Sequence, residues 1–261
     1  MARGVSTVLD VAICLLLIGV AVGTLAVAVP DDDWRSTVDG DPAAASVGAV
    51  TATVPVANDH DAHGTLAQHL ARASVLAATL DGERLLESTY PGATRRAVER
   101  RTTGRVRITA RWRPYPDAAL AGGLTVGPKP PSTADVAATR LSVDSGMAVP
   151  EGVDSTESLA TAVADAYIDR LFPPERTRIR LVDRRVASRT ADRYRSLAAV
   201  LGVDVAEPLA DASPKQANER LASELADRLE AGMESGSDTA GPVPDGTATA
   251  DVEIVVRRWE P

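Results

Sequence analysis

Residues 105–113 read Arg105-Val106-Arg107-Ile108-Thr109-Ala110-Arg111-Trp112-Arg113, and polar and apolar side chains alternate along almost all of this stretch. Successive side chains of an extended chain leave on opposite faces. The period of two therefore predicts a half-buried β-strand with Val106, Ile108, Ala110 and Trp112 turned inward. Downstream, Leu124-Thr125-Val126 reads as a partner strand that stops at the Gly- and Pro-rich run GPKPPS. Thr51 to Val56, Ala137 to Val143 and Val252 to Trp259 read as further strands, and Arg178-Ile179-Arg180-Leu181 alternates in the same way.

Between these stretches the period changes to that of a helix. Leu66, Leu70, Ala73, Leu76 and Leu80 recur at helical spacing over residues 65–80, and a shorter helix is expected from Thr94 to Arg101. Asp154 and Glu157 resemble a capping box opening a helix that carries Leu159, Val163, Ala166 and Leu171 and stops at Pro173-Pro174. Another helix runs from about Thr190 to Gly202. Ser213-Pro214-Lys215-Gln216 is the clearest helix start, with Leu221, Leu225 and Leu229 on one face and Gly232 as its stop. Short strands among helices predict one α+β domain over residues 51–261, with a mainly antiparallel sheet of four or more strands.

The chain has 261 residues, 44% of them hydrophobic but only 3% aromatic. Its core must therefore be built from small side chains, with Trp112, Trp259, Tyr167 and Phe172 as bulky pieces. The net charge is −8, and 26 of the 28 basic residues are arginine, Lys129 and Lys215 being the exceptions. An acidic, Asp-rich, nearly lysine-free composition resembles that of proteins from salt-loving archaea. Cys14 is the single cysteine, so neither an intrachain disulfide nor a cysteine-based metal site can form.

The N-terminus has a different character. Residues 11–29, VAICLLLIGVAVGTLAVAV, carry no charge. At about 1.5 Å per residue they span close to 28 Å, the thickness of a hydrocarbon core. Val11, Leu15, Leu16, Leu17 and Ile18 would lie within such a transmembrane helix. Arg3 precedes the run and Asp31, Asp32 and Asp33 follow it, which predicts a cytoplasmic N-terminus and an extracellular C-terminal domain. A secretory signal peptide cut after Ala26-Val27-Ala28, or an uncleaved signal anchor, would also fit such a run.

The segment Arg3-Gly4-Val5-Ser6-Thr7-Val8-Leu9-Asp10, leading straight into the apolar run, resembles the class III signal peptide of archaeal type IV pilins, haloarchaeal ones in particular. Thr7 stands where that family commonly has proline. The resemblance implies a leader of residues 1–4, a prepilin peptidase cut between Gly4 and Val5, and a retained helix over residues 5–29. An acidic linker (residues 30–50) then leads to the domain. The partners it implies are membrane lipid, other pilin-like subunits and the peptidase. The chain as a whole resembles haloarchaeal families of small pilin-like membrane proteins, a likeness that names no activity.

No catalytic constellation is legible. Neither Asp144-Ser145-Gly146 nor Glu234-Ser235-Gly236 sits in a G-x-S-x-G elbow, and there is no phosphate-cradling loop. His60, His63 and His69 fall within ten positions, but zinc requires three or four ligands converging at about 2.0–2.2 Å. His63 and His69 would leave opposite sides of one helix, which leaves His60, Asp61 and His63 in a loop as the weak metal alternative. The expectation is a non-enzymatic protein without a cofactor. Two stretches are basic: residues 84–113 hold nine arginines against Glu87 and Glu99, and residues 176–195 hold eight against Asp183 and Asp192. Solvated strand and helix faces, whose arginines pair with neighbouring acids, are the favoured account of such stretches over a patch for an acidic envelope ligand. For the ligand, Arg178 and Arg180 are the candidates; few aromatics interleave, so nucleic acid is not expected.

Overall fold

The computed structural model describes residues 42–57, 60–102, 104–147, 153, 155–236 and 251–260, with side chains at all of these except 57, 60, 235 and 236. The chain divides into two compact units, Met1–Thr37 and Val38–Pro261. The first lies outside the described residues, and with it Gly4, Val5 and the apolar run containing Val11, Leu15, Leu16, Leu17 and Ile18. Among the described residues no helix is long and apolar enough to cross a membrane.

The second unit is α+β with antiparallel sheets. Its elements are α1 (Pro42–Ala49), β1 (Thr51–Ala57), β2 (His60–Thr65), α2 (Leu66–Leu76), β3 (Thr79–Leu80), β4 (Glu83–Arg84) and α3 (Tyr90–Glu99). Three strands follow, β5 (Val106–Trp112), β6 (Leu120–Val126) and β7 (Val136–Asp144). Then come α4 (Thr156–Leu171), α5 (Pro174–Val182), α6 (Ala187–Leu201), α7 (Ala206–Ala210), α8 (Pro214–Gly236) and β8 (Asp251–Trp259). One sheet is the hairpin β1–β2; the other has six strands in the order β4-β3-β6-β5-β8-β7. The strand at residues 105–113 lies inside that sheet, and the last strand inserts between it and β7.

Alternation along the strands divides the large sheet into two faces. Ile108, Val126 and Val256 share a row, as do Ala110, Leu124 and Ile254, and all six are buried. The helices join this inner face in one continuous core. α2 comes so close to β6 that a Cβ on Gly122 would stand 2.1 Å from the Ser74 carbonyl oxygen. Trp112 stacks on Tyr167 of α4 with ring centroids 5.8 Å apart. Burying each such ring contributes roughly 1.5–3 kcal/mol by area.

A polar knot ties the helical layer together. Tyr194 of α6 donates to Asn218 Oδ1 on α8 at 2.7 Å, and Asn218 Nδ2 donates to the Phe172 carbonyl and to Asp169 Oδ1, both at 2.9 Å. Phe172 stacks on Tyr194 at 3.9 Å, and the Arg193 guanidinium lies 5.4 Å from the Phe172 ring centre.

Several expectations change. Residues 42–49, the end of the stretch read as a linker, form α1 and bury Ala44 and Val47 in the core. The helix expected to reach Leu80 stops at Leu76, because Leu80 pairs with Leu120 in the sheet. The helix expected from Thr94 starts at Tyr90, with proline in its first turn. The capping box of α4 is closed by Ser155 and Ser158, not by Asp154 and Glu157. α8 runs past Gly232 to Gly236. The largest change is at Arg178-Ile179-Arg180-Leu181, which is helical: Pro174 opens α5 at a position where its missing N–H costs nothing.

Candidate anion-binding face of the sheet

The odd-numbered residues of β5 must leave on the face opposite the core. Register places Thr109 between Thr125 and Val255, with Arg140 beyond Val255. The next row holds Gly123, Arg111, Glu253 and Ser142. On the other side of Thr109, Arg107 stands directly opposite Arg257, whose other neighbour is Ala138. Trp259 follows two residues after Arg257 on the same face, opposite Val136. Thr109, Val255 and Trp259 are buried without belonging to the core on the inner side.

Charge is unevenly spread over this face. Toward Asp251, the Arg140 Nε lies 3.2 Å from Glu253 Oε1, and the Ser142 hydroxyl donates to Asp251 Oδ2 at 2.6 Å. Acids there already have partners. Toward Trp259, Arg107 and Arg257 are half-buried neighbours, and neither makes an ion pair among the described residues. Like charges directly opposite on adjacent strands repel. On the opposite side of Thr109 an open groove of about 910 Å³ crosses the face over Arg111, Arg113, Thr125, Asp251 and Glu253, and neither Arg107 nor Arg257 lines it. That volume suits a segment of an extended molecule better than a single ion. Tyr115 at its margin is buried, and desolvation pushes its hydroxyl pKa to about 12, so it stays protonated and able to donate.

The residues singled out from sequence fall elsewhere. Arg178 and Arg180 lie exposed on α5 and not on the sheet. His60, Asp61 and His63 belong to β2 rather than to a loop. Asp61 and His63 are exposed, the His63 Nδ1 is 2.9 Å from the Thr53 hydroxyl, and the side chain of His60 lies outside the description. His69 is buried. Among the described residues no group of three His, Cys, Asp or Glu is placed to hold a metal. Arg107 and Arg257 were not singled out, although the alternation in residues 105–113 already put Arg107 on the outer face.

Comparison with known proteins adds a family without adding an activity. Neither a curated protein nor a solved structure matches the chain. A family of unknown function, DUF7284, matches residues 9–259, and the chain belongs to that family.

Proposed function

We propose that this is a non-enzymatic protein of the cell envelope, anchored by residues 11–29, whose outer domain holds an acidic ligand on the Arg107–Arg257 side of its sheet. The observation that carries the reading is the cross-strand arginine pair. A half-buried pair of like charges raises the energy of the free domain, and a bound carboxylate or sulfate removes that repulsion. The family match begins at residue 9 and so includes the uncharged run, which supports treating run and domain as one unit. Lipid is then the first partner, with the N-terminus cytoplasmic and the domain extracellular.

A second reading is favoured by residues 3–10. Their likeness to a class III signal peptide makes the protein a haloarchaeal pilin or an accessory to a type IV pilus-like system, cut between Gly4 and Val5. N-terminal sequencing of the cellular protein decides it: a chain beginning at Val5 is expected, and one beginning at Met1 or Ala2 overturns it.

The ligand reading is tested with full-length protein in detergent, using polyglutamate and dextran sulfate as probes and duplex DNA as a third arm. The double variant Arg107→Glu/Arg257→Glu should weaken polyglutamate or dextran sulfate binding by about tenfold or more, at roughly 1 kcal/mol per charge removed. Arg178→Glu/Arg180→Glu should not. Undiminished binding by the sheet variant sinks the proposal, and so does binding confined to DNA.

A further inference from the structure

α5 carries an arrangement that the sheet face does not explain. Ile179 and Val182 are 66% and 67% exposed, and among the described residues the only other large exposed hydrophobic is Val50, at 37%. Residues three apart lie side by side on a helix. α5 packs on α6 and α8 through its other side, where Thr177 is buried. The same helix carries Arg176, Arg178 and Arg180, and the turn after it Arg184 and Arg185, all exposed. None of the five makes an ion pair among the described residues. Of the nearby acids, Asp183 already accepts from the Arg185 backbone N–H at 3.0 Å, and Glu175 sits in the first turn of α5.

We infer that α5 and its following turn form a lipid-docking site, with Ile179 and Val182 entering the headgroup boundary and the arginines holding anionic headgroups. This rests on the reading that residues 11–29 anchor the chain in a membrane. Charge decides the occupant: the chain is acidic as a whole, at −8, yet this corner is locally basic and aliphatic. Interfacial helices have that composition, with arginine stems reaching up past a shallow apolar edge. A protein interface would call for a larger surface with aromatic anchors, and this nine-residue helix has none. The tether supplies the remaining advantage, since an anchored domain meets its own membrane at high effective concentration.

The test uses the full chain with Cys14→Ser and one introduced cysteine, Ile179→Cys or Ser223→Cys, labelled with an environment-sensitive fluorophore. Ser223 is an exposed control on α8. The protein is placed in nanodiscs of phosphatidylcholine with or without phosphatidylglycerol. In anionic discs the label at 179 should shift to the blue and be quenched by spin-labelled lipid several-fold more than the label at 223. Arg176→Glu/Arg178→Glu should abolish the difference. Equal, water-like signals at both positions overturn the inference. Protection at 179 by polyglutamate alone, with none from lipid, assigns the site to an acidic protein and also overturns it. A chain that remains soluble without detergent overturns the anchor instead; the same labels are then read against preformed anionic vesicles, where quenching at 179 upholds docking and its absence rejects it.

Discussion

The imidazole of His69 is 2% exposed, with Nε2 2.9 Å from the Ala52 carbonyl oxygen and Nδ1 2.6 Å from the Tyr90 hydroxyl. A carbonyl can only accept, so Nε2 carries the proton and Nδ1 accepts from Tyr90. One side chain thereby links β1, α2 and α3. Burial pushes the His69 pKa below its ordinary 6.5; the Ala52 carbonyl opposes the shift, while Arg72 and Arg101 add to it. The folded protein thus stays neutral at His69 where the unfolded chain takes up a proton. Its contribution is full above about pH 6.5 and declines as pH falls toward the lowered folded value. His69→Gln should cost about 2 kcal/mol at pH 7.5, the loss expected for a buried hydrogen-bonded group. In urea unfolding, the gap between the two proteins should narrow between about pH 7 and pH 5, because only the parent pays for protonation. A gap that is constant or widens rejects this account. The buried role was partly legible, since His69 lies three residues after Leu66 and four before Ala73, at helical spacing. Nothing in the sequence named its partners, the Ala52 carbonyl and Tyr90, which only the packing of β1 and α3 on α2 brings to it.

At the scale of elements, the contact of α2 on β6 is set by the absence of a side chain at Gly122. Alanine there would drive its Cβ into the Ser74 carbonyl, which is backbone and cannot rotate away. Gly122→Ala should cost about 3 kcal/mol, at the upper end of overpacking penalties. Gly48 in α1 gives the contrast: nothing lies within 4 Å of its added Cβ, so Gly48→Ala should stabilise by about 0.5–1 kcal/mol. Equal denaturation midpoints for the two variants would show that α2 does not rest on β6 as described. Elements with a long period were legible: β5, β6, β7 and β8 turn alternate residues toward the core, so part of that alternation survives in the sequence. β3 and β4, two residues each, have no period to find. α5 shows the opposite failure. Four residues of Arg-Ile-Arg-Leu fit a strand as well as a helix, and the usual arbiter, burial of the apolar positions, is missing because Ile179 is exposed.

For the whole molecule, the outer sheet face was legible only in part. Alternation placed Arg107 outward, but its meeting with Arg257 depends on the register of β5 with a strand from the far end of the chain, which local pattern does not encode. Charge acts at this scale as well. In the ion pairs Arg113–Asp117, Arg140–Glu253, Arg195–Asp192, Lys215–Glu219, Arg220–Glu207 and Arg228–Glu224, both partners are at least 36% exposed. Such pairs contribute about 1 kcal/mol or less apiece. The net charge of −8, by contrast, opposes compaction throughout. Raising ionic strength from about 0.1 M to about 1 M shortens the Debye length from about 10 Å to about 3 Å, which screens the repulsion along with the weak pairs. Stability should therefore increase with salt, the thermal midpoint rising by roughly 5 °C, equivalent to 1–2 kcal/mol in a domain of this size. Polyanion binding at Arg107 and Arg257 should fall over the same range, because it is Coulombic and the core is not. A midpoint that drops with salt would mean that specific ion pairs, rather than the small-residue core, hold the domain together.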